Sequence, residues 1–167
     1  MSMEISGAPQ SIDPSVSTAP TAFLHPGQML VSAAPIRLTT IVGSCISVCL
    51  WDSAGRIGGV NHFLLPFGGG VGHATLRFGN VAISRLIESL LGLGSARSNL
   101  VAKVFGGACV IDAFLERGEH LGLRNAQAAA DALAREGVPI VASDTGGRRG
   151  RKIIFDTASG TVWVREI

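Results

Sequence analysis

Thr39–His62, TTIVGSCISVCLWDSAGRIGGVNH, is the stretch on which the reading of this chain turns. SCISVCLWD alternates, so as a strand it places Ile46, Val48 and Leu50 on one face and Cys45, Ser47 and Cys49 on the other. Asp52 to Gly55 reads as a turn, and RIGGVNHFLLP returns as a second strand that Pro66 ends. Strands joined by a short turn lie side by side, which would bring His62 near Cys45, although sequence alone leaves the register of the hairpin open. A thiol and an imidazole so placed form a candidate nucleophile and base. The thiolate is the attacking species, a free thiol is mostly protonated at neutral pH, and a neighbouring imidazole either lowers its pKa or takes its proton. Gly43 and Ser44 precede the thiol, and a compact turn there would aim backbone N–H groups at the oxygen of a tetrahedral intermediate.

Before this stretch, QMLVSA and IRLTTIV read as strands separated at Pro35. After it, Phe67 to Leu76 is a glycine-rich loop. Ile83, Leu86, Ile87, Leu90 and Leu91 then recur with a helical period, with Asn80 as the candidate N-cap and Gly92 or Gly94 near the end. Leu100 to Phe105 reads as a buried strand. A second helix, from about Gly122 to Glu136, would present Leu123, Ala126, Ala130, Leu133 and Ala134 to the core before Gly137 and Pro139 close it. Ile140 to Ala142 reads as a strand, Asp144 to Gly150 as a loop, and IIFDTASGTVWVREI as a terminal hairpin. Strands outnumber helices and many are hairpin-linked. The expected fold class is therefore α/β of the α+β type, a layered sandwich of mixed or mainly antiparallel sheet with flanking helices.

The chain has 167 residues and 47% hydrophobic content, enough for one core. Met1 to about Thr21 is rich in Ser, Ala, Pro and Gly without an apolar period and is expected to be a disordered tail, leaving residues 22–167 as one domain. A net charge of only +2 gives no concentrated basic face for nucleic acid or an anionic membrane. No apolar run approaches a membrane span and no secretory leader is evident, so a cytoplasmic protein without membrane insertion is expected. Cys45, Cys49 and Cys109 are an odd number in a domain large enough to fold without crosslinks, which argues against a disulfide framework.

VGSCISVCLWD followed by GRIGGVNHFLLP resembles the signature of the CheD family, the chemoreceptor glutamine deamidases of bacterial and archaeal chemotaxis. FGNVAISRLIESLLGLG, NLVAKVFGGA, GLRN and VPIVASDTGGRRGRKIIFDTASGTVWV extend the likeness, in order, from about His25 to the C-terminus. The resemblance implies a CheD-like fold and hydrolysis of receptor glutamine side chains through Cys45 and His62, with no metal or organic cofactor. It assigns Thr39, which matches a threonine associated with the Cys-His pair, a hydrogen bond to the imidazole or the substrate amide. The implied protein substrate is the cytoplasmic helices of chemoreceptors, and some relatives also bind a CheC-type phosphatase. A regulatory binding module for receptors or for that phosphatase is thus the alternative function. Two positions depart from the family pattern: Asn80 stands where an acidic residue is common, and Val42 replaces a leucine.

Competing interpretations of the same residues are weaker. A zinc site from Cys45, Cys49, His62 and His73 would draw its second ligand pair from a strand histidine and one in a glycine-rich loop. GGRRGRK lacks the frame of a phosphate-binding loop. Arg148, Arg149, Arg151 and Lys152 make a basic run whose default is a solvated surface, with contact to an acidic receptor helix as the functional alternative. His25, His73 and His120 carry no spacing that implies a role.

Overall fold

A computed structural model of the protein describes residues 2–5, 17–68, 75–111 and 120–167. The strands are β1 (Ser2–Ile5), β2 (Thr21–Phe23), β3 (Met29–Ser32), β4 (Arg37–Val42), β5 (Ile46–Asp52) and β6 (Ile57–Asn61), followed after the first helix by β7 (Leu100–Gly106), then β8 (Ile140–Thr145), β9 (Arg151–Asp156) and β10 (Val162–Glu166). The helices are α1 (Gly79–Gly92) and α2 (Leu121–Arg135). One sheet has the order β1-β10-β9-β4-β2, the other β3-β6-β5-β7-β8. Among the described residues only the β2–β4 and β7–β8 strand pairs are parallel, so the mixed, mainly antiparallel sandwich expected from the hairpin pattern is what forms. No helix among the described residues is long and apolar enough to cross a membrane.

The alternation of β5 divides the molecule into layers. Ile46, Val48 and Leu50 face both helices and pack with Ile83, Leu86, Ile87 and Leu90 of α1 and Ala129 and Leu133 of α2. Cys49 faces the other sheet and packs with Leu38 and Val42 of β4, Phe105 of β7, and Ile153 and Phe155 of β9. Each fully buried Leu, Ile or Phe in these clusters stabilises the fold by about 1.5–3 kcal/mol. Adjacent glycines on β6 serve both layers: a Cβ on Gly58 would press on Phe155, and one on Gly59 would press on Val31 and Leu86.

Within the segment expected to be a tail, Ser2–Ile5 pairs antiparallel with Val162–Arg165 of β10, and Thr21 lies in β2. Ladder bonds are main-chain bonds, which composition does not reveal. Residues 6–16 lie outside the described residues. The N-cap of α1 is Phe78 rather than Asn80. The Asn80 carboxamide is instead engaged by Gly68, accepting from its N–H at 3.3 Å and donating to its carbonyl at 3.2 Å. In α2 the buried face comprises Gly122, Asn125, Ala128, Ala129, Ala132 and Leu133, while Leu123 is 48% exposed. The helix is thus turned by about one residue, or roughly 100°. It docks at its first turn through Gly122, where a Cβ would overlap the carbonyls of Gly107 and Ala108.

Candidate active site

The chain leaves β4 in one sheet and enters β5 in the other through the bend Gly43-Ser44-Cys45. Cys45 therefore stands at the corner between the sheets, half-buried, with its side chain against the inter-sheet core. The hairpin register left open by the sequence is settled. Cys49 pairs with Val60, and the ladder runs on through a bridge between Ile46 and Phe63, closed by N–H to carbonyl bonds of 3.1 and 3.0 Å. By this register Ser47 stands opposite His62, and Cys45 lies one pleat further along the same face. Such diagonal neighbours have Cα atoms about 7–8 Å apart, within reach of larger side chains. Cys45 and His62 thus share one face of one sheet, on adjacent strands.

His62 is 2% exposed. Its Nδ1 lies 2.8 Å from Oγ1 of Thr40, and that hydroxyl donates its single hydrogen to the Leu24 carbonyl, also at 2.8 Å. With its proton committed, Oγ1 can only accept from the ring, so Nδ1 carries the imidazole proton and Nε2 keeps its lone pair. Nε2 is buried and has no hydrogen-bond partner among the described residues. Burial pushes the ring pKa down from 6.5 to about 4, so the imidazole is neutral at physiological pH. Burial likewise raises the Cys45 pKa, and a hydrogen bond from its own backbone N–H only partly opposes this. Of the two routes to activation, proton uptake by the imidazole fits this site; a standing thiolate does not.

Of the two β4 threonines, the structure brings Thr40 to the imidazole and not Thr39. Leu38, Thr40 and Val42 are the inward positions of β4; Leu38 and Val42 line the inter-sheet core. Thr39 is half-buried on the opposite face with Ile41, which is 45% exposed, and it pairs with Ile154 of β9. Period-two alternation sends the Thr39 hydroxyl away from His62. The same alternation, apolar at 38 and 42, was the sequence signal that could have selected Thr40.

Backbone contacts fix the corner. The carbonyl of Gly43 accepts from Ala108 N–H at 2.8 Å, and that of Cys45 from Gly107 N–H at 2.9 Å. The carbonyl of Ser44 accepts from Nδ2 of Asn125 at 2.9 Å. In a trans peptide the N–H points opposite to the preceding carbonyl. Clamping the carbonyls of Gly43 and Ser44 therefore aims the N–H groups of Ser44 and Cys45 to the other side, and the Cys45 N–H faces its own sulfur. The close approach of Gly106 requires glycine: its φ is +113°, and a Cβ would overlap the Cys45 carbonyl.

The remaining candidates separate clearly. Cys49 is buried, and its pKa is pushed up to about 12 by burial, which the nearby Lys103 charge only partly offsets. Lys103 Nζ donates to the Gly160 carbonyl at 2.8 Å, and burial lowers its pKa. His120 has a structural role after all, capping α2 by accepting from Leu123 N–H at 3.2 Å. Arg151 departs from the solvated default. It is 4% exposed, donating to Asp144 at 2.8 Å and to the Gly146 carbonyl at 2.9 Å; Gly146 N–H in turn bonds to the Gly106 carbonyl at 2.9 Å. Arg149 keeps the exposed character, its side chain 72% accessible. His73 of the zinc alternative lies outside the described residues, and among the described residues no group of three or more His, Cys, Asp or Glu is placed to hold a metal ion.

Comparison with known proteins adds family information. A family model described as CheD chemotactic sensory transduction matches residues 64–166. A protein of Anaeromyxobacter dehalogenans named probable chemoreceptor glutamine deamidase CheD 1 is 46% identical over 150 residues, covering 87% of this chain and 84% of its own. Proteins named probable chemoreceptor glutamine deamidase CheD from Sulfurimonas denitrificans and Trichlorobacter lovleyi are 41% and 44% identical, covering 87% and 84% of this chain and 93% and 86% of theirs. The family model begins just past His62, whereas spans as long as those of the relatives necessarily include Thr39 to His62. Among solved structures, the YfiH protein of Bacillus licheniformis aligns with a TM-score of 0.46 at 15% identity, over 81% of this chain and 60% of that one. At that distance it bears on neither fold nor activity.

Proposed function

The chain belongs to the CheD family, and from that premise we propose that it hydrolyses glutamine side chains of methyl-accepting chemotaxis receptors to glutamate and ammonia, with Cys45 as nucleophile and His62 as its base. The observation that carries the mechanism is the tautomer: Thr40 holds the ring proton on Nδ1 and leaves a basic, unpartnered Nε2 on the face that Cys45 shares. The mechanism requires Sγ to come within hydrogen-bond reach of that nitrogen as substrate enters. A hydrogen bond completed only in the complex is common at such sites.

The steps follow from the neutral resting pair. Sγ attacks the carboxamide carbon as the thiol proton passes to Nε2, and the carbonyl oxygen becomes an oxyanion facing the N–H groups of Ser44 and Cys45. The adduct then breaks its C–N bond while Nε2–H protonates the nitrogen, which leaves as ammonia. Water, deprotonated by Nε2, attacks the thioester; the C–S bond breaks, and glutamate and free thiol are restored. All of this chemistry is assigned to the chain's own residues.

A helical protein substrate fits the surroundings. Exposed Val110 lies 3.7 Å from where a Gly43 Cβ would stand, so an apolar side chain borders the corner where a protein substrate would approach. The proposal places the enzyme in the cytoplasm with the receptor helices it modifies. It takes a CheC-type phosphatase as a second partner, on the strength of the family resemblance.

The test is to incubate a purified receptor cytoplasmic fragment with the protein and weigh its glutamine-containing peptides. Conversion of amide to acid raises the mass of specific peptides, and both Cys45→Ala and His62→Ala are expected to abolish the gain. Full conversion by Cys45→Ala would sink the mechanism. Binding of the fragment by wild type without conversion would favour a regulatory binding module instead.

A further inference from the structure

Asn125 is a polar side chain with no solvent exposure, set in a helix whose other buried residues are glycine, alanine and leucine. Its single Nδ2 donates to two carbonyls, Ser44 at 2.9 Å and Leu64 at 2.9 Å. Ser44 is the residue before the proposed nucleophile; Leu64 is two residues beyond the proposed base. Both hydrogens of one amide nitrogen thus tie together the two chain segments that carry the reacting groups. The amide orientation is forced, because a flipped side chain would set its oxygen against two carbonyl oxygens. Its buried Oδ1 finds no hydrogen-bond partner among the described residues, a cost that an apolar side chain would avoid.

We infer that Asn125 is a positioning residue that builds the oxyanion site, acting through the Ser44 carbonyl to hold the Cys45 N–H in place and through the Leu64 carbonyl to hold the His62 arm against it. This rests on the Cys45 chemistry proposed above and deepens it. The peptide plane carries the effect. Nδ2 fixes the Ser44 carbonyl, the rigid trans unit fixes the Cys45 N–H opposite to it, and that N–H donates to the oxygen on which negative charge develops. Asn125 touches neither the thiol nor the imidazole. Alkylation of Cys45 forms no oxyanion and feels Asn125 only through the placement of thiol and base, whereas acylation passes through a tetrahedral adduct and also needs the oxyanion donor that Asn125 holds.

The experiment compares two reactions of one sulfur in full-length wild type, the isosteric Asn125→Asp, which retains at most one donor, and Asn125→Ser. Acylation by p-nitrophenyl acetate is read from the p-nitrophenol burst, and alkylation by iodoacetamide from the mass of the Cys45 peptide. Folding is checked by circular dichroism. The expected result is acylation slowed by about 10–100-fold, with alkylation slowed distinctly less. Equal loss of both reactions, or no loss of acylation, overturns the inference. If the acylation contrast holds while wild type leaves every receptor glutamine intact, the substrate assignment fails and the role of Asn125 stands. A wild type that p-nitrophenyl acetate cannot acylate overturns both. Should neither variant fold, NMR of wild type decides: both Asn125 side-chain amide protons exchanging slowly supports the double tether, and either exchanging freely overturns it.

Discussion

The two faces of the sheet β3-β6-β5-β7-β8 are built from the same strands and are chemically opposite. Toward the helices the packed core is apolar, with Asn125 of α2 the polar side chain set at its edge. Toward the second sheet the face holds a thiol at Cys45, a hydroxyl at Ser47, a second thiol at Cys49 and an amine at Lys103, with the imidazole of His62 meeting a threonine from across the gap. Helices satisfy their own backbone groups and can cover a sheet with hydrocarbon alone. The gap between two sheets opens at its corners, and the chain crosses one corner at Gly43-Ser44-Cys45. Stability and chemistry have been divided between the two sides of a single sheet.

The strongest way to break that division is a pair of truncations. Cys45→Ala is expected to remove deamidation entirely while changing unfolding free energy by well under the cost of a core cavity, since the thiol is half-buried. Leu86→Ala, on α1 and fully buried, is expected to cost about 2–5 kcal/mol of stability and leave activity per folded molecule unchanged. Urea titration and the peptide-mass assay, run on both variants, separate the two effects. A large stability loss in Cys45→Ala, or a loss of intrinsic activity in Leu86→Ala, would erase the distinction.

Neighbouring threonines on β4 sharpen it further, because adjacent positions of one strand belong to different faces. Thr40→Val removes the acceptor that keeps the proton on Nδ1, and turnover is expected to fall by at least about tenfold, in the direction seen when a catalytic histidine loses its tautomer partner. Thr40→Ser restores the hydroxyl and is expected to recover most of the rate. Thr39→Val should change turnover little, its hydroxyl pointing away from His62. Steady-state rates on one receptor fragment decide; equal losses at both positions would mean that the alternation assigned to β4 is wrong.

The layered fold was legible because period-two patterning in SCISVCLWD states which residues share a face, and both thiol positions and the apolar row fell where it put them. The Cys45–His62 juxtaposition was legible as a pairing, but its register needed the ladder through Ile46 and Phe63. Thr40 was passed over because LTTIV offers two hydroxyls, and resemblance favoured the one that alternation turns outward. Asn125 was missed for a different reason. An alanine-rich helix has a poorly defined apolar face, and the docking of Gly122 on Gly107 and Ala108, a long-range contact, chose a rotation that hydrophobic spacing did not mark. Arg151 escaped notice in the same way, a buried cation within a run whose composition signals solvent.

The smallest effect tests the burial of the base itself. A histidine on an open surface titrates near 6.5, but His62 is held at about 4 by burial. Between those values the unfolded chain carries a proton on this ring and the folded protein does not, so the unfolded state binds more protons and stability rises with pH across the window. The contribution is fully present above about 6.5 and is lost as pH falls toward about 4. The shift corresponds to at most about 3 kcal/mol. In His62→Gln this dependence should vanish, so the stability difference between variant and wild type should change between those pH values and level off outside them. The same neutral ring is the base in the reaction, which places the acid limb of kcat/KM for the wild type near pH 4 instead of near 6.5. An acid limb near neutrality, in an enzyme still folded at that pH, would mean that His62 meets solvent freely and that the inter-sheet face is not closed around its base.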